Sequence, residues 1–289
     1  MTADSAPGEW QQADTHECAL NPALHGWETF DFAPVDLPLL RARLQGVPAF
    51  SVHAPLPTPP DYPGSPVTSY LLDPDPAKRV ASLSMLRQTI ELAAAWHARY
   101  VVVHFGGLHS NGLSPQEVST LAEEAARKLN GWAEACRMPV HIEYAAYNRS
   151  FASPEELVAL VRRYPHLHIC LDVGHLRVGA EILGMDEWRA ARLLAPHTRS
   201  MHLWTTRGQE DVSRYHHVPV HPSLGPGDGW IDIPGMLELV LAHQPECGIV
   251  FEAHGLYNSD PEWQQVGMDW VRTLVQADGT TARGYPEAP

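Results

Sequence analysis

Hydrophobic and polar positions along the chain follow two alternating periods. Short runs rich in β-branched and apolar residues read as strands: PAFSVHA (48–54), YVVVHF (100–105), PVHIEY (139–144), LHICLDV (167–173), RSMHLW (199–204) and GIVFEAH (248–254). Between them, 75–98 and 114–137 carry apolar residues at helical spacing, and DIPGMLELVLAHQ and DPEWQQVGMDWVRTLVQ supply the last two helices. SPEELVALVRRY (153–164) opens with a serine N-cap, a proline at the first helical position and early glutamates, which together predict a helix start. Before residue 48 the pattern weakens, and ECALN and GWETFDF read as two strands joined by a short loop. Strand and helix in alternation predict βαβ units around a parallel sheet. Eight such strands close into a (β/α)8 barrel of the α/β class, with the first βα unit abbreviated. The predicted division is a disordered segment over 1–15, one barrel domain over 16–277 and a tail over 278–289.

The strand ends carry the chemistry. His53, His104, Glu143, Asp172, His202 and Glu252 each fall at the C-terminal end of a different predicted strand, the end where barrels of this kind place their active sites. Side chains alternate along a strand, so Ser51, Val102, His141, Cys170, Ser200 and Val250 share the inward face one layer below. A single histidine at a strand end is ordinarily structural. Six converging polar ends are another matter, because each buried charge needs a partner unless one cation serves them all. Glu143, Asp172, Glu252 and His202 make a mixed nitrogen and oxygen set suited to Mn, Zn, Co or Fe, and His53 and His104 would hold a second ion that shares Glu143. His175, three residues after Asp172, and His221 are candidates for a third ion or for substrate contact. Trp204 and Trp230 are candidates to wall a sugar or base. The loops 54–67, rich in proline, and 217–230 are long enough to serve as active-site walls or lids, and 54–67 is expected to close over the site.

Composition narrows the partners. The 289 residues are 44% hydrophobic and 19% charged, enough apolar material for a full core, which excludes disorder over the whole length. Acidic residues number 34 against 20 basic ones, for a formal charge of -14, and Lys78 and Lys128 are the only lysines. That balance argues against binding along a nucleic-acid backbone. The 4 cysteines are far apart with no C-x-x-C pair, so neither a disulfide framework nor a thiolate zinc knuckle is indicated. With no run of about 20 apolar residues and no signal-like N-terminus, the expectation is a cytoplasmic protein with no membrane partner. The 17 histidines are the unusual number, and they direct attention to metal and acid–base chemistry.

VVVHFGG, HIEY, LDVGH, MHLW, SLGPGDGWID and FEAH, in this order and spacing, resemble the xylose isomerase-like TIM barrel superfamily over roughly residues 48–275. That superfamily includes sugar phosphate isomerases and epimerases and endonuclease IV. In its ketose epimerase branch the resemblance implies one metal on Glu143, Asp172, His202 and Glu252, with Glu143 and Glu252 also moving protons beside the substrate carbonyl. His175 would then contact substrate, and Arg207 is the nearby candidate for an assisting arginine. In the endonuclease IV branch the same four residues hold one zinc, His53 and His104 with Glu143 hold a second, and His175 and His221 belong to a third. That branch expects an aspartate two residues before His221, where this chain has Pro219, and an asparagine-containing segment after the strand glutamate, where it reads EYAAYNRS.

Three functions follow as expectations. The first is a divalent-metal-dependent isomerase or epimerase of a small sugar, sugar phosphate or polyol, working by proton transfer next to a metal-polarised carbonyl. The alternative is a di- or trinuclear zinc phosphoesterase of the endonuclease IV type. A further alternative is a catalytically silent barrel that binds metal or ligand. One to three ions are expected, the partner is a carbohydrate-like small molecule, and association into a homo-oligomer stays open.

Overall fold

The structure, a computed structural model, describes residues 9–13, 26–47, 49–63, 68–105, 112–145, 153–253 and 256–278. In chain order its elements are β1 (Glu9–Ala13), β2 (Gly26–Thr29), α1 (Leu37–Leu44), β3 (Phe50–His53), α2 (Pro76–Ala95), β4 (Val101–His104), α3 (Pro115–Cys136) and β5 (Val140–Glu143). There follow α4 (Pro154–Val161), β6 (Leu167–Asp172), α5 (Val173–Leu183), α6 (Glu187–Leu194), β7 (Thr198–Leu203), α7 (Gln209–Tyr215), α8 (Ile233–His243), β8 (Gly248–Phe251) and α9 (Pro261–Asp278). Every strand pairs in parallel with its sequence neighbours, and β1 pairs with β8, so the sheet closes into the expected barrel.

The first strand departs from the sequence expectation. It lies at Glu9–Ala13, inside the stretch 1–15 assigned to disorder, where Trp10 pairs with Gly26 on one side and Val250 on the other. EWQQA has no apolar alternation to announce a strand; it is ordered by ladder bonds to both neighbours. ECALN lies outside the described residues, as does the tail beyond Asp278.

Helix starts obey the local signals. Ser114 forms a capping box with Glu117 at the head of α3, and the side chains of Asp75, Ser153, Asp186 and Asp232 accept from the first turns of α2, α4, α6 and α8. α3 buries the small face Ala122, Ala125, Ala126 and Ala133 with Leu129, which lets the helix lie close to its neighbours.

Alternation splits the strands' side chains between two cores. Val101, Val103, Ile142, Leu171, Met201, Leu203, Ile249 and Phe251 belong to the large core shared with the helices. Tyr100, Val102, Cys170 and Val250 form a separate small cluster. Ser51, His141 and Ser200 are buried too, with His141 Nδ1 2.9 Å from Ser200 Oγ and its ring stacked on Tyr100. This is the layer expected beneath the strand-end residues.

The loop expected to act as a lid is anchored over its described part, 54–63. Leu56 is buried in the large core and its amide donates to Thr89 Oγ1. Thr58 is held by the Phe32 carbonyl and by Asp31 Oδ1, and Tyr62 donates to the Thr68 carbonyl. These contacts tie 54–63 to the barrel and to the head of the following segment.

Candidate metal centre

Five of the six strand-end groups sit within or at the last residues of their strands. His53, His104, Glu143 and Asp172 are the final residues of β3, β4, β5 and β6, and His202 is the penultimate residue of β7. Glu252 follows β8 directly. Parallel register brings them level: His104 pairs with Glu143, and Asp172 with His202. One end of the barrel thus gathers three carboxylates and three imidazoles.

The distances define two clusters joined by Glu143. In the first, His53 Nε2 and His104 Nε2 lie 2.9 and 2.8 Å from the same oxygen, Glu143 Oε2. In the second, His202 Nδ1 lies 2.8 Å from Glu252 Oε2 and 3.9 Å from Asp172 Oδ2. His202 Nδ1 is also 3.8 Å from Glu143 Oε2, which ties the clusters together. His175 Nε2 stands between them, 3.4 Å from Glu143 Oε1 and 3.7 Å from Asp172 Oδ2. Among the described residues, three ligand sets have their donor atoms within 4.8 Å of one another: His53, His104 and Glu143; Glu143, Asp172 and His175; Asp172, His202 and Glu252.

Two further observations fit these groups to cations. His202 Nδ1 and Glu252 Oε2 are buried and, although 2.8 Å apart, make no aligned hydrogen bond. Buried polar atoms without partners cost about 1–3 kcal/mol each, and more when charged, so the pair calls for a common partner. In the first cluster His53 Nδ1 is 3.0 Å from the Ala54 carbonyl, which can only accept, so Nδ1 carries the proton. A neutral His53 then turns the lone pair of Nε2 toward a carboxylate oxygen, an arrangement that needs a proton or a metal between them.

The charges respond to one another. Burial raises the Asp172 carboxyl, and Glu252 and Glu143 add to it, to about 7. Burial would raise Glu252 as well, but His202 and His217 outweigh it and take it to about 2. Glu143 is likewise held well below the carboxylate range by His104, His53 and His202 against burial. Burial pushes His175 down to about 4. His202 goes the other way: burial opposes its charge, yet Cys170, Glu28 and Glu252 carry it well above the imidazole range.

Exposure separates the floor of the site from its rim. The side chains of Glu143, Asp172 and His202 are at most 1% exposed, whereas His104, His175, His217 and Glu252 are 12–16% exposed and face the opening. His217 is the residue that the structure adds to the rim. Thr205, two residues past β7, pairs antiparallel with Val218, which folds the chain back and lays the His217 ring flat on Trp204. His217 Nδ1 ends 3.6 Å from Glu252 Oε1, with its ring edge-on to His175. The chain returns after a long excursion, so no local motif announced it.

Other candidates are placed differently. His221 stacks on Trp263, and its Nδ1 is 2.7 Å from Ser223 Oγ; among the described residues it belongs to none of the ligand sets. The neighbour of His175 is therefore His217, where the sequence pointed to His221. Arg207 is paired through two nitrogens with Asp211 and lies over the Trp230 ring, which itself packs with Val218 and Leu224. Trp204 is fully buried, with its indole N–H on Asp172 Oδ2 at 2.8 Å, so it cannot wall a substrate directly. Glu28 was missed. This fully buried carboxylate on β2 accepts from Ser51 Oγ and places its other oxygen 2.9 Å from His202 Nε2. A glutamate between Trp27 and Thr29 in a short predicted strand was the available signal.

Fold and site together define a (β/α)8 barrel with candidate metal ligands at the C-terminal ends of its strands. The sequence matches the xylose isomerase-like TIM barrel family over residues 35–274, and the chain belongs to that family. No curated protein matches it in sequence. Among solved structures it is similar to 3-keto-D-glucoside 4-epimerase from E. coli, at 14% identity over 92% of this chain and 99% of that one, with a TM-score of 0.66. It is similar to D-psicose 3-epimerase from Clostridium cellulolyticum, at 15% identity over 88% and 90% of the two chains, with a TM-score of 0.61. Endonuclease IV from Thermus thermophilus matches at 18% identity over 94% and 100%, with a TM-score of 0.56. At these identities the likeness is one of fold.

Proposed function

We propose that the chain is a divalent-metal-dependent enzyme that hydrolyses a phosphoester of a small, carbohydrate-like molecule. The observation that carries this reading is the surroundings of Glu143. Its Oε2 is flanked by His53 and His104 and its Oε1 faces His175. A carboxylate enclosed by three imidazoles is poorly placed to reach a substrate C–H, as an epimerase base must. It would suit a place shared by two cations, one that Asp172, His202 and Glu252 would hold and one that His53 and His104 would hold. When bound, such ions supply Lewis acidity toward phosphoryl oxygens and lower the pKa of water.

The chain's own residues do the rest. Asp172 and His202 fix the floor. Glu252 and His217 stand at the opening, where Glu252 Oε1 is placed to accept a proton from the attacking water and His217 to orient it. The charge of -14 argues against duplex DNA, whose binding needs many cationic contacts.

The isomerase or epimerase reading is supported by one observation of its own. Glu143 and Glu252 approach the same nitrogen, His202 Nδ1, at 3.8 and 2.8 Å, as two proton-moving carboxylates around one ion would. One experiment separates the readings. Protein stripped of metal and reloaded with Zn2+ or Mn2+ is assayed on p-nitrophenyl phosphate and its diester, on abasic duplex DNA, and on a panel of ketoses and their phosphates in deuterated water. Metal-dependent release of p-nitrophenol is expected. Solvent deuterium entering a ketose, with no phosphoester cleaved, would contradict the proposal in favour of epimerisation. Ion binding with neither activity would leave a silent barrel.

A further inference from the structure

Both oxygens of Asp172 are held, and one of the two donors follows another strand. Its Oδ1 accepts from the His175 amide at 2.6 Å, as the N-cap of α5. Its Oδ2 accepts from the indole Nε1 of Trp204 at 2.8 Å, across from β7. With both oxygens tied by donors from different elements, the carboxylate cannot rotate about its χ2 bond, and its remaining lone pairs keep one direction.

Trp204 is built into this role. Strand alternation puts it on the same side as His202, two residues earlier. The ring is fully buried and lies against Gly174, where an added Cβ would fall 2.1 Å from the ring; only glycine allows that approach. The outer face of the indole carries His217, stacked at 4.0 Å and 8°. Its edge meets the His175 ring at 5.4 Å. One side chain thus touches Asp172, His175 and His217, although none of its atoms lies in a ligand set.

Resting on the metal reading above, we propose that Trp204 is a positioning residue: its N–H fixes Asp172 for the ion, and its face seats His217 against Glu252. Outer groups of this kind tune metal affinity by about 10–100-fold. A residue that merely filled the core would affect stability and leave affinity alone.

The test is Trp204→Phe, which removes the N–H and keeps an aromatic ring. Metal-free wild type and variant are titrated with Mn2+ by calorimetry, and their melting temperatures are compared without metal. The expected result is Mn2+ binding weakened by about 10–100-fold in a variant that still melts cooperatively. Wild-type affinity in the variant would overturn the proposal. Should the variant fail to fold, the wild-type indole N–H is followed by 15N NMR during Zn2+ addition: protection from exchange and a shift on binding support the role, and an unprotected, unmoved signal overturns it. Wild type that binds no ion would overturn the metal reading itself, an outcome distinct from normal binding by both proteins.

Discussion

The two halves of the strand-end cluster satisfy their charges in different ways. Around His53 and His104, protons can stand in for a metal: Glu143 Oε2 lies within hydrogen-bonding distance of both rings, and although burial lowers His104, Glu143 more than offsets this and raises it above the usual imidazole value. Around His202 and Glu252 the protons sit elsewhere: despite burial, neighbouring acidic groups carry His202 well above the imidazole range, and burial with Glu252 and Glu143 raises the Asp172 carboxyl to about 7. The two atoms that approach at 2.8 Å make no hydrogen bond, and Asp172 beside them is already occupied by Trp204 and the His175 amide. The difference teaches that the first half already shares one carboxylate oxygen between two rings, whereas the second leaves a buried imidazole nitrogen and carboxylate oxygen facing each other without a hydrogen bond, a gap that a cation would fill. An ion should therefore bind tightly on Asp172, His202 and Glu252, and a second more weakly on His53, His104 and Glu143.

The comparison breaks most sharply at the tight half. Asp172→Ala or His202→Ala should release that ion and lower hydrolysis on the order of a thousandfold, matching the several kcal/mol that a metal supplies to a transition state. Metal content and rate measured on the same preparations check this, and full metal retention in both variants would contradict it. A smaller effect is expected at the other half. His53→Ala or His104→Ala should abolish only the weaker ion and leave the first in place, which sequential titration with Mn2+ would resolve as one binding event where wild type gives two.

A pH series sharpens the contrast further. With Asp172 at about 7 in the folded chain, above the ordinary carboxylate range, the metal-free protein binds a proton there that the unfolded chain has released. The unfolded state then binds fewer protons between about pH 4 and 7, so this group's contribution to stability falls as pH rises through that window. Metal binding must expel the proton, so affinity should rise with pH up to about 7 and level off above it. Melting of the metal-free protein and Mn2+ titrations at several pH values test both signs. Stability from this source that rose with pH, absent in Asp172→Asn, would contradict the assignment.

Much of this was legible in the sequence because strands of a parallel barrel end where their chemistry begins. The runs around Val101–His104, Val140–Glu143 and Leu167–Asp172 are mostly apolar before their last residue, and a polar or charged group closing such a run marks the catalytic end. What stayed hidden depended on contacts between distant segments. Glu9–Ala13 is a strand because β2 and β8 flank it. His217 reaches the site through the pairing of Thr205 with Val218. Trp204 looked like a wall for substrate because the sequence could not show that Gly174 leaves room for its ring beneath Asp172. The pairing of Arg207 with Asp211, four residues apart, was visible in principle, yet an arginine after a strand histidine drew the functional reading first.

The most direct test of the two-cluster account is the metal content of protein purified without chelator, measured by elemental mass spectrometry for wild type, His202→Ala and His53→Ala. The account predicts one ion per wild-type chain that survives dialysis and a second that appears only with excess metal. The first should be lost in His202→Ala, and the second alone in His53→Ala. A wild-type chain without metal under both conditions, or a tight ion that persists in His202→Ala, would contradict it.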